Sequence, residues 1–149
     1  MDDLTLPLVI VLFLVLAAEF VNGLNDAPNA IATVVSTRVL HPYHALAMAS
    51  VLNVMGAALT GTAVATTIGR DIVRPEAIEL PVVGAAVLGI AVWGSLATLR
   101  GLPISISHGL VAGLAGAGLA TAGTGVLLWS GWQKVLMGLG FSTVGGVTL

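Results

Sequence analysis

The chain of 149 residues is 57% hydrophobic and 8% charged, carries a formal net charge of −2 and contains no cysteine. Soluble domains average about 25% charged residues, so this composition indicates a membrane protein. The absence of a basic patch argues against nucleic-acid binding, and the absence of cysteine excludes disulfides and thiolate metal sites. Long uncharged stretches without polar–apolar alternation favour helices over an outer-membrane barrel. We predict an all-α, multi-pass integral membrane protein.

The first apolar segment, residues 6–38, contains a polar cluster at residues 19–30. A single helix of that length would run about 50 Å, whereas the hydrocarbon core of a bilayer is about 30 Å thick. We therefore expect the segment to tilt, turn back or break. The expected break is at residues 23–28, because Asp26 can cap a new helix and Pro28 is tolerated in a first helical turn. One half-helix would then end near Asn22.

The rest of the chain alternates between apolar spans and polar connections. The expected later spans are residues 45–68, 81–99 and 110–128, and an apolar stretch of about 15 residues begins at Val135. Residues 70–79 hold five charges and should form a loop in water or at the headgroups. Residues 100–103 should interrupt the helical pattern a second time. Trp129 and Trp132 suit a membrane interface.

The polar cluster in the first segment has two interpretations. Asn22, Asn25 and Asn29 could simply join helices by hydrogen bonds. Alternatively, a broken helix exposes backbone N–H groups that bind an anion, with Asn29 and Thr33 on one polar stripe. We favour the second interpretation, because so many polar and ionisable groups at membrane depth usually mark a transport path.

The second break has the same chemistry. Pro103 ends one segment, and Ser105 or Ser107 can cap the next helix and leave hydroxyls and N–H groups facing the bundle. His108 is either a proton carrier or a hydrogen-bonded core histidine. Two such helix starts form the arrangement of discontinuous helices found in secondary transporters for anions.

The charges of the clusters predict a co-transported cation. Neither cluster contains lysine or arginine, and Glu19 and Asp26 would repel an anion. Protons, sodium or a divalent metal ion would balance the charge, so we assign these two carboxylates to the coupling ion. No resident cofactor is expected, and the identity of a metal ion stays open.

Three motifs resemble those of the inorganic phosphate transporter (PiT) family. Residues 22–30 read Asn-Gly-Leu-Asn-Asp-Ala-Pro-Asn-Ala, which is similar to the family signature Gly-x-Asn-Asp-x-Ala-Asn-Ala. Residues 101–108, Gly-Leu-Pro-Ile-Ser-Ile-Ser-His, resemble its Pro-x-Ser-[Ser/Thr]-[Ser/Thr]-His motif. Asn53 followed by Gly56 resembles Phe-Asn-Phe-Leu-Gly. The sequence differs where Pro28 replaces an alanine and Ile106 replaces a hydroxyl residue.

The resemblance implies inward symport of inorganic phosphate across the cell inner (plasma) membrane by one half of an inverted-repeat transporter. Phosphate would be held by Asn25, Asn29, Thr33, Ser105 and Ser107. The coupling ion would be held by Asp26 and Glu19. Supporting residues would be Asn22, Gly23, Pro28, Asn53, Pro103 and His108.

The family pattern has two halves, whereas residues 1–149 form one transmembrane domain without an internal repeat. We therefore expect a second half-transporter chain or a homo-oligomer as partner, besides phosphate and the lipid bilayer. The alternatives are a truncated, non-transporting remnant, a structural or assembly subunit, and a sulfate permease. A channel, or an intramembrane hydrolase that uses Ser107 or His108, is less consistent with the motifs.

Overall fold

A computed structural model describes residues 5–148, apart from the side chains at positions 63, 64 and 67. Within that range the protein is helical, as predicted. The helices are α1 (Thr5–Ser36), α2 (Pro42–Thr60), α3 (Ala63–Arg70), α4 (Leu80–Leu99), α5 (Ile106–Ala122) and α6 (Trp129–Thr148). Short 3-10 turns at Pro75–Ala77 and Thr124–Val126 lie in the connections. Among the described residues, α1, α2 and α4 are long and apolar enough to cross a membrane.

Helices α1 and α4 run parallel and side by side. A Cβ atom at Gly84 would lie 3.1 Å from Cγ2 of Val11, and the side chain of Asn25 bonds to that of Thr98. Both pairs are 73 positions apart, so the two helices keep one register over about four turns. Thr98 is almost the last residue of α4. The final three turns of α1 therefore extend past the end of α4.

Helices α4 and α5 form an antiparallel hairpin. Gly113 of α5 lies against the backbone of Ala86, and Gly109 lies against the side chain of Ile90. Small residues allow this close approach of two helices in a membrane protein. Two buried apolar clusters result, and the second joins α1 to the hairpin. The first cluster comprises Ile72, Val73, Ala86, Val111, Leu114 and Val126. The second comprises Ala18, Val87, Ile90 and Ile106.

The predicted break at residues 23–28 is wrong, because α1 is one continuous helix of 32 residues with Pro28 inside it. Asp26 therefore caps no helix. An internal proline removes one helical hydrogen bond and costs about 3 kcal/mol. Packing against α4 offsets that cost, through buried Ala18 just before the polar cluster and through Asn25 within it.

Two of the predicted spans end earlier than expected. The span predicted at residues 45–68 is divided into α2 and α3 at Gly61, whose φ of +75° suits glycine. The span predicted at residues 110–128 is helical only to Ala122, because Gly123 has a φ of +74° and ends α5. The prediction of a span from residue 81 to Leu99 is confirmed by α4, and the second break is present between α4 and α5.

The connections at the far end of the α4–α5 hairpin are tied together by backbone hydrogen bonds. The N–H of Arg74 donates to the carbonyl of Val126 at 2.8 Å, and that of Leu128 donates to the carbonyl of Ile72 at 3.0 Å. Ile72 is fully buried, so the predicted loop at residues 70–79 is only partly surrounded by water or headgroups. The stretch predicted to start at Val135 belongs to α6, which begins at Trp129.

Helix α6 approaches the backbone of this connection through Gly131. A Cβ atom at that position would collide with the carbonyl group of Asp71, whereas Gly138 on the same helix has open space around it. Lys134, one turn after Gly131, pairs with the Asp71 carboxylate at 2.6 Å. The glycine and the ion pair together fix the start of α6.

We expect Gly131→Ala to destabilise the protein by about 1 to 3 kcal/mol, because the extra methyl forces α6 away from the backbone of Asp71. Thermal unfolding in detergent measures the effect. Gly138→Ala is the matched control and should be neutral or slightly stabilising, since alanine favours a helix over glycine. Equal unfolding temperatures for the two variants would contradict the close contact.

Candidate functional site

The polar cluster of α1 faces two different neighbours. Successive residues of an α-helix point about 100° apart. Asn25 consequently points toward the end of α4, and Asp26 points toward α2. The continuous helix thus separates residues that the sequence analysis assigned to one broken-helix site.

The face of α1 that carries Asp26 borders a cleft between α1 and α2 with a volume of about 590 Å³. Its polar lining consists of Glu19, Asn22, Asp26, Ser50 and Asn53. The amide of Asn22 donates to the Glu19 carboxylate at 3.5 Å, and both carboxylates are exposed. All five side chains carry oxygen, the ligand atom that hard cations such as Mg²⁺ prefer. The cleft therefore presents a negatively charged, oxygen-rich surface.

The two carboxylates lie two turns apart, about 10 Å along the axis of α1. Asn22 lies between them, and Asn53 comes from the opposite helix. The arrangement is a polar track along one helix face. No group of three histidine or acidic residues close enough to hold a metal ion occurs in the described part of the chain.

The face of α1 that points toward α4 carries Asn25, which is 7% exposed. Its amide nitrogen donates to the Thr98 hydroxyl at 3.1 Å and to the carbonyl of Leu102 at 3.2 Å. Its carbonyl oxygen accepts from the N–H of Ile104 at 3.2 Å. Both amide hydrogens are thus used inside the protein, and an anion would have to displace one of these bonds. Direct phosphate binding by Asn25 stays a prediction.

A groove of about 340 Å³ lies beside Asn25, between α1 and the connection from α4 to α5. Pro28 and Asn29 line it from α1, and Pro103 lines it from the connection. The side-chain amide of Asn29 makes one long hydrogen bond of 3.4 Å to the backbone carbonyl of Asn25, so this exposed side chain has hydrogen-bonding capacity left. Because α1 is unbroken, the groove receives no free N–H groups from a helix start at residues 23–28.

The start of α5 confirms Ser105 as the cap, one of the two residues predicted for that position. Ser105 is the N-cap residue, and its hydroxyl accepts from the N–H of His108 at 3.4 Å. The same hydroxyl lies 2.7 Å from Nδ1 of His108. Ser107 and His108 are exposed on the surface of this chain. The Ile106 side chain is buried against α1 and α4, and a hydroxyl at that position would therefore point into the core.

The predicted anion residues do not all meet in one place. Of the described residues, those that line the groove do not include Ser105, Ser107 or Thr33. The groove does reach Pro103, two residues before Ser105. Thr33 is exposed two turns beyond Asp26, and its carbonyl accepts from the hydroxyls of Ser36 and Thr37. The predicted cation residues, in contrast, share the α1–α2 cleft.

Two residues of these surfaces were not predicted from the sequence. Thr98 lies in an apolar run, and its contact with Asn25 spans 73 positions of the chain. Ser50 lies in α2 one turn before Asn53. Neither belongs to a motif. Thr98 could have been identified only from the constant offset of 73 positions between contacting residues of α1 and α4, and that offset is known only from the fold.

Comparison with known proteins identifies the family. The family description "Phosphate transporter family" matches residues 22–149. The chain is 40% identical over 146 residues to the "Probable low-affinity inorganic phosphate transporter" of Bacillus subtilis (strain 168), covering 97% of this chain and 44% of that protein. It is 46% identical over 150 residues to the protein of the same name from Streptomyces halstedii, covering 99% of this chain and 68% of the relative.

The chain thus spans less than half the length of the Bacillus relative. No solved structure is significantly similar to it. The matched family consists of transporters rather than enzymes, and the apolar helices are those of a membrane protein. The resemblance drawn from the three motifs is confirmed, and the chain belongs to the phosphate transporter family.

Proposed function

We propose that this chain takes part in the transport of inorganic phosphate across the inner (plasma) membrane, as the multi-pass half of a secondary symporter. The observation that carries the proposal is the division of the α1 polar cluster between two surfaces. One surface is acidic and rich in oxygen, and the other offers neutral hydrogen-bond donors. A symporter needs both kinds of surface, one for each transported ion.

The α1–α2 cleft is the proposed cation site. Asp26 and Glu19 supply the negative charge, and Asn22, Ser50 and Asn53 supply neutral oxygen atoms. A proton, a sodium ion or a divalent metal ion is compatible with these groups. The cation is transported with phosphate in this proposal and is not a resident cofactor.

The proposed phosphate surface extends from the groove to the start of α5. Asn29 and Ser107 supply donors from exposed side chains, and the first N–H groups of α5 carry the positive end of its helix dipole. Residues 19–30 and 103–109 contain no lysine or arginine, so the co-transported cation provides the compensating positive charge. Ser105 caps α5, and Thr33 extends the polar stripe of α1.

The proposed transport unit contains a second half, either another half-transporter chain or a second copy of this one. Its support is the length comparison, because this chain covers 44% of the Bacillus subtilis relative. Large apolar side chains of α2, among them Val51, Val54 and Leu59, are more than half exposed and would face lipid or that second half.

Uptake of labelled phosphate tests the proposal. The chain is expressed in a phosphate-transport-null cell, alone and together with the remaining half of the Bacillus subtilis relative. We expect uptake above the empty-vector control with the second half present, and we expect excess sulfate to compete poorly. Absence of uptake in both arrangements, with the chain present in the membrane, would overturn the proposed function.

A further inference from the structure

Asn25 joins three parts of the fold through one side chain. It belongs to α1, and its partners are Thr98 in α4 and the backbone at Leu102 and Ile104 in the connection to α5. Among the described residues, Asn25 is the one polar residue that is buried. A buried amide with this many partners fixes the relative positions of the elements that it joins.

The partners require an amide at position 25. The carbonyl of Leu102 can only accept a hydrogen bond, and the N–H of Ile104 can only donate one. The side chain must therefore present a donor and an acceptor at the same time, in one orientation. The Thr98 hydroxyl accepts the second amide hydrogen and holds that orientation.

The α4–α5 connection depends on α1 for these bonds. Gly101 and Leu102 donate their N–H groups back to the last turn of α4, and Gly109 in the first turn of α5 donates to the carbonyl of the cap residue Ser105. Between these two sets lie the carbonyl of Leu102 and the N–H of Ile104, which bond to Asn25. The segment just before the Ser105 cap is thus anchored from α1.

We infer that Asn25 and Thr98 form a clamp that positions the α4–α5 connection, and with it the start of α5, against α1. Thr98 acts in this proposal as a positioning residue, because its hydroxyl orients the Asn25 amide. The consequence for transport rests on the proposed function, in which the start of α5 belongs to the phosphate surface.

The clamp also connects the two proposed ion surfaces. Asn25 is adjacent in sequence to Asp26 of the cation cleft, and Ile104 is adjacent to Ser105 of the phosphate surface. A shift of α1 caused by a cation at Asp26 would be transmitted to the start of α5 through one hydrogen-bonded side chain. This provides a physical route for coupling cation binding to phosphate binding.

Thiol labelling tests the clamp without requiring transport. The chain contains no cysteine, so Ile104→Cys gives a single reporter in the clamped connection. The Ile104 side chain is partly buried against the second core cluster, and its clamp contact uses only its backbone N–H. In membrane vesicles, we expect Thr98→Val in this background to raise the rate of labelling by a water-soluble maleimide about fivefold, the effect of losing one hydrogen bond.

Two matched variants make the test specific. Thr98→Ser retains the hydroxyl and should keep the slow labelling rate. Ser95→Ala removes a hydroxyl one turn away on α4 that bonds only within its own helix, to the carbonyl of Ala91 at 2.7 Å, and should also label slowly. Equal rates in Thr98→Val and its parent would overturn the clamp, as would an equally large increase in Ser95→Ala.

Transport kinetics test the positioning role. With the second half present, we expect Thr98→Val to raise the KM for phosphate about fivefold and to change the maximal rate less than twofold. A fall in maximal rate at constant KM would overturn the positioning role. If the unaltered chain moves no phosphate, the proposed function fails, and the labelling rates still decide whether the clamp exists.

Discussion

Asp26→Asn is expected to raise the cation concentration needed for half-maximal phosphate uptake at least about fivefold, or to remove the pH dependence of uptake if protons are the coupling ion. The substitution keeps the size of the side chain and removes its negative charge from the α1–α2 cleft. Two unit charges 4 Å apart interact by about 1 to 4 kcal/mol in a surface environment, which corresponds to a fivefold effect or more. Initial rates of labelled-phosphate uptake at varied cation concentration measure the change.

Glu76→Gln is the control for this variant. It also converts a carboxylate to an amide, but Glu76 lies in the connection between α3 and α4, beside a different cavity. Its uptake should retain the cation dependence of the unaltered chain. If Asp26→Asn also retains that dependence and its rate, the coupling role assigned to Asp26 is wrong.

Asn25→Asp is expected to lower the free energy of unfolding by about 3 kcal/mol. A carboxylate at this buried position has no hydrogen to donate to the carbonyl of Leu102, and two acceptors would then face each other. Leaving a buried acceptor unsatisfied costs about 1 to 3 kcal/mol, and more when a charged group is involved. Thermal or denaturant unfolding of the purified protein in detergent gives the value.

Asn29→Asp makes the same chemical change one turn later on α1. Asn29 is exposed, and its amide makes a single bond of 3.4 Å, so the loss of stability should be below about 1 kcal/mol. A similar loss in both variants would mean that any new charge in this part of α1 destabilises the protein. The hydrogen bonds of Asn25 would then have no special importance.

The α4–α5 hairpin could be predicted from the sequence because its signals are local. Residues 81–99 are uncharged, Pro103 ends the helical pattern, and Ser105 provides the cap of the next helix. Each of these features determines the local structure within a few residues of its own position in the sequence. The family was predictable for a similar reason, because its motifs are short runs of residues in a fixed order.

The continuity of α1 could not be predicted in this way. Asp26 and Pro28 form a good local signal for a helix start, and the signal was misleading. What opposes it is the packing of Ala18 and Asn25 against α4 and α5, which are more than 60 residues away in sequence. The hydrogen bonds that Asn25 makes to Thr98 and to the α4–α5 connection depend on the same long-range pairing. At Gly61 the sequence analysis missed a real interruption, because it predicted one span over residues 45–68, whereas α2 ends just before this glycine.

The most direct test of the two-surface arrangement compares Asp26→Asn with Ser107→Ala in a single uptake assay with the second half present. The phosphate KM is measured at saturating cation, and the half-saturating cation concentration is measured at saturating phosphate. We predict that Ser107→Ala raises the phosphate KM and leaves the cation constant unchanged, and that Asp26→Asn has the opposite pattern. If both variants altered the same one of these two constants and left the other constant unchanged, the division of α1 into a cation face and a phosphate face would be contradicted.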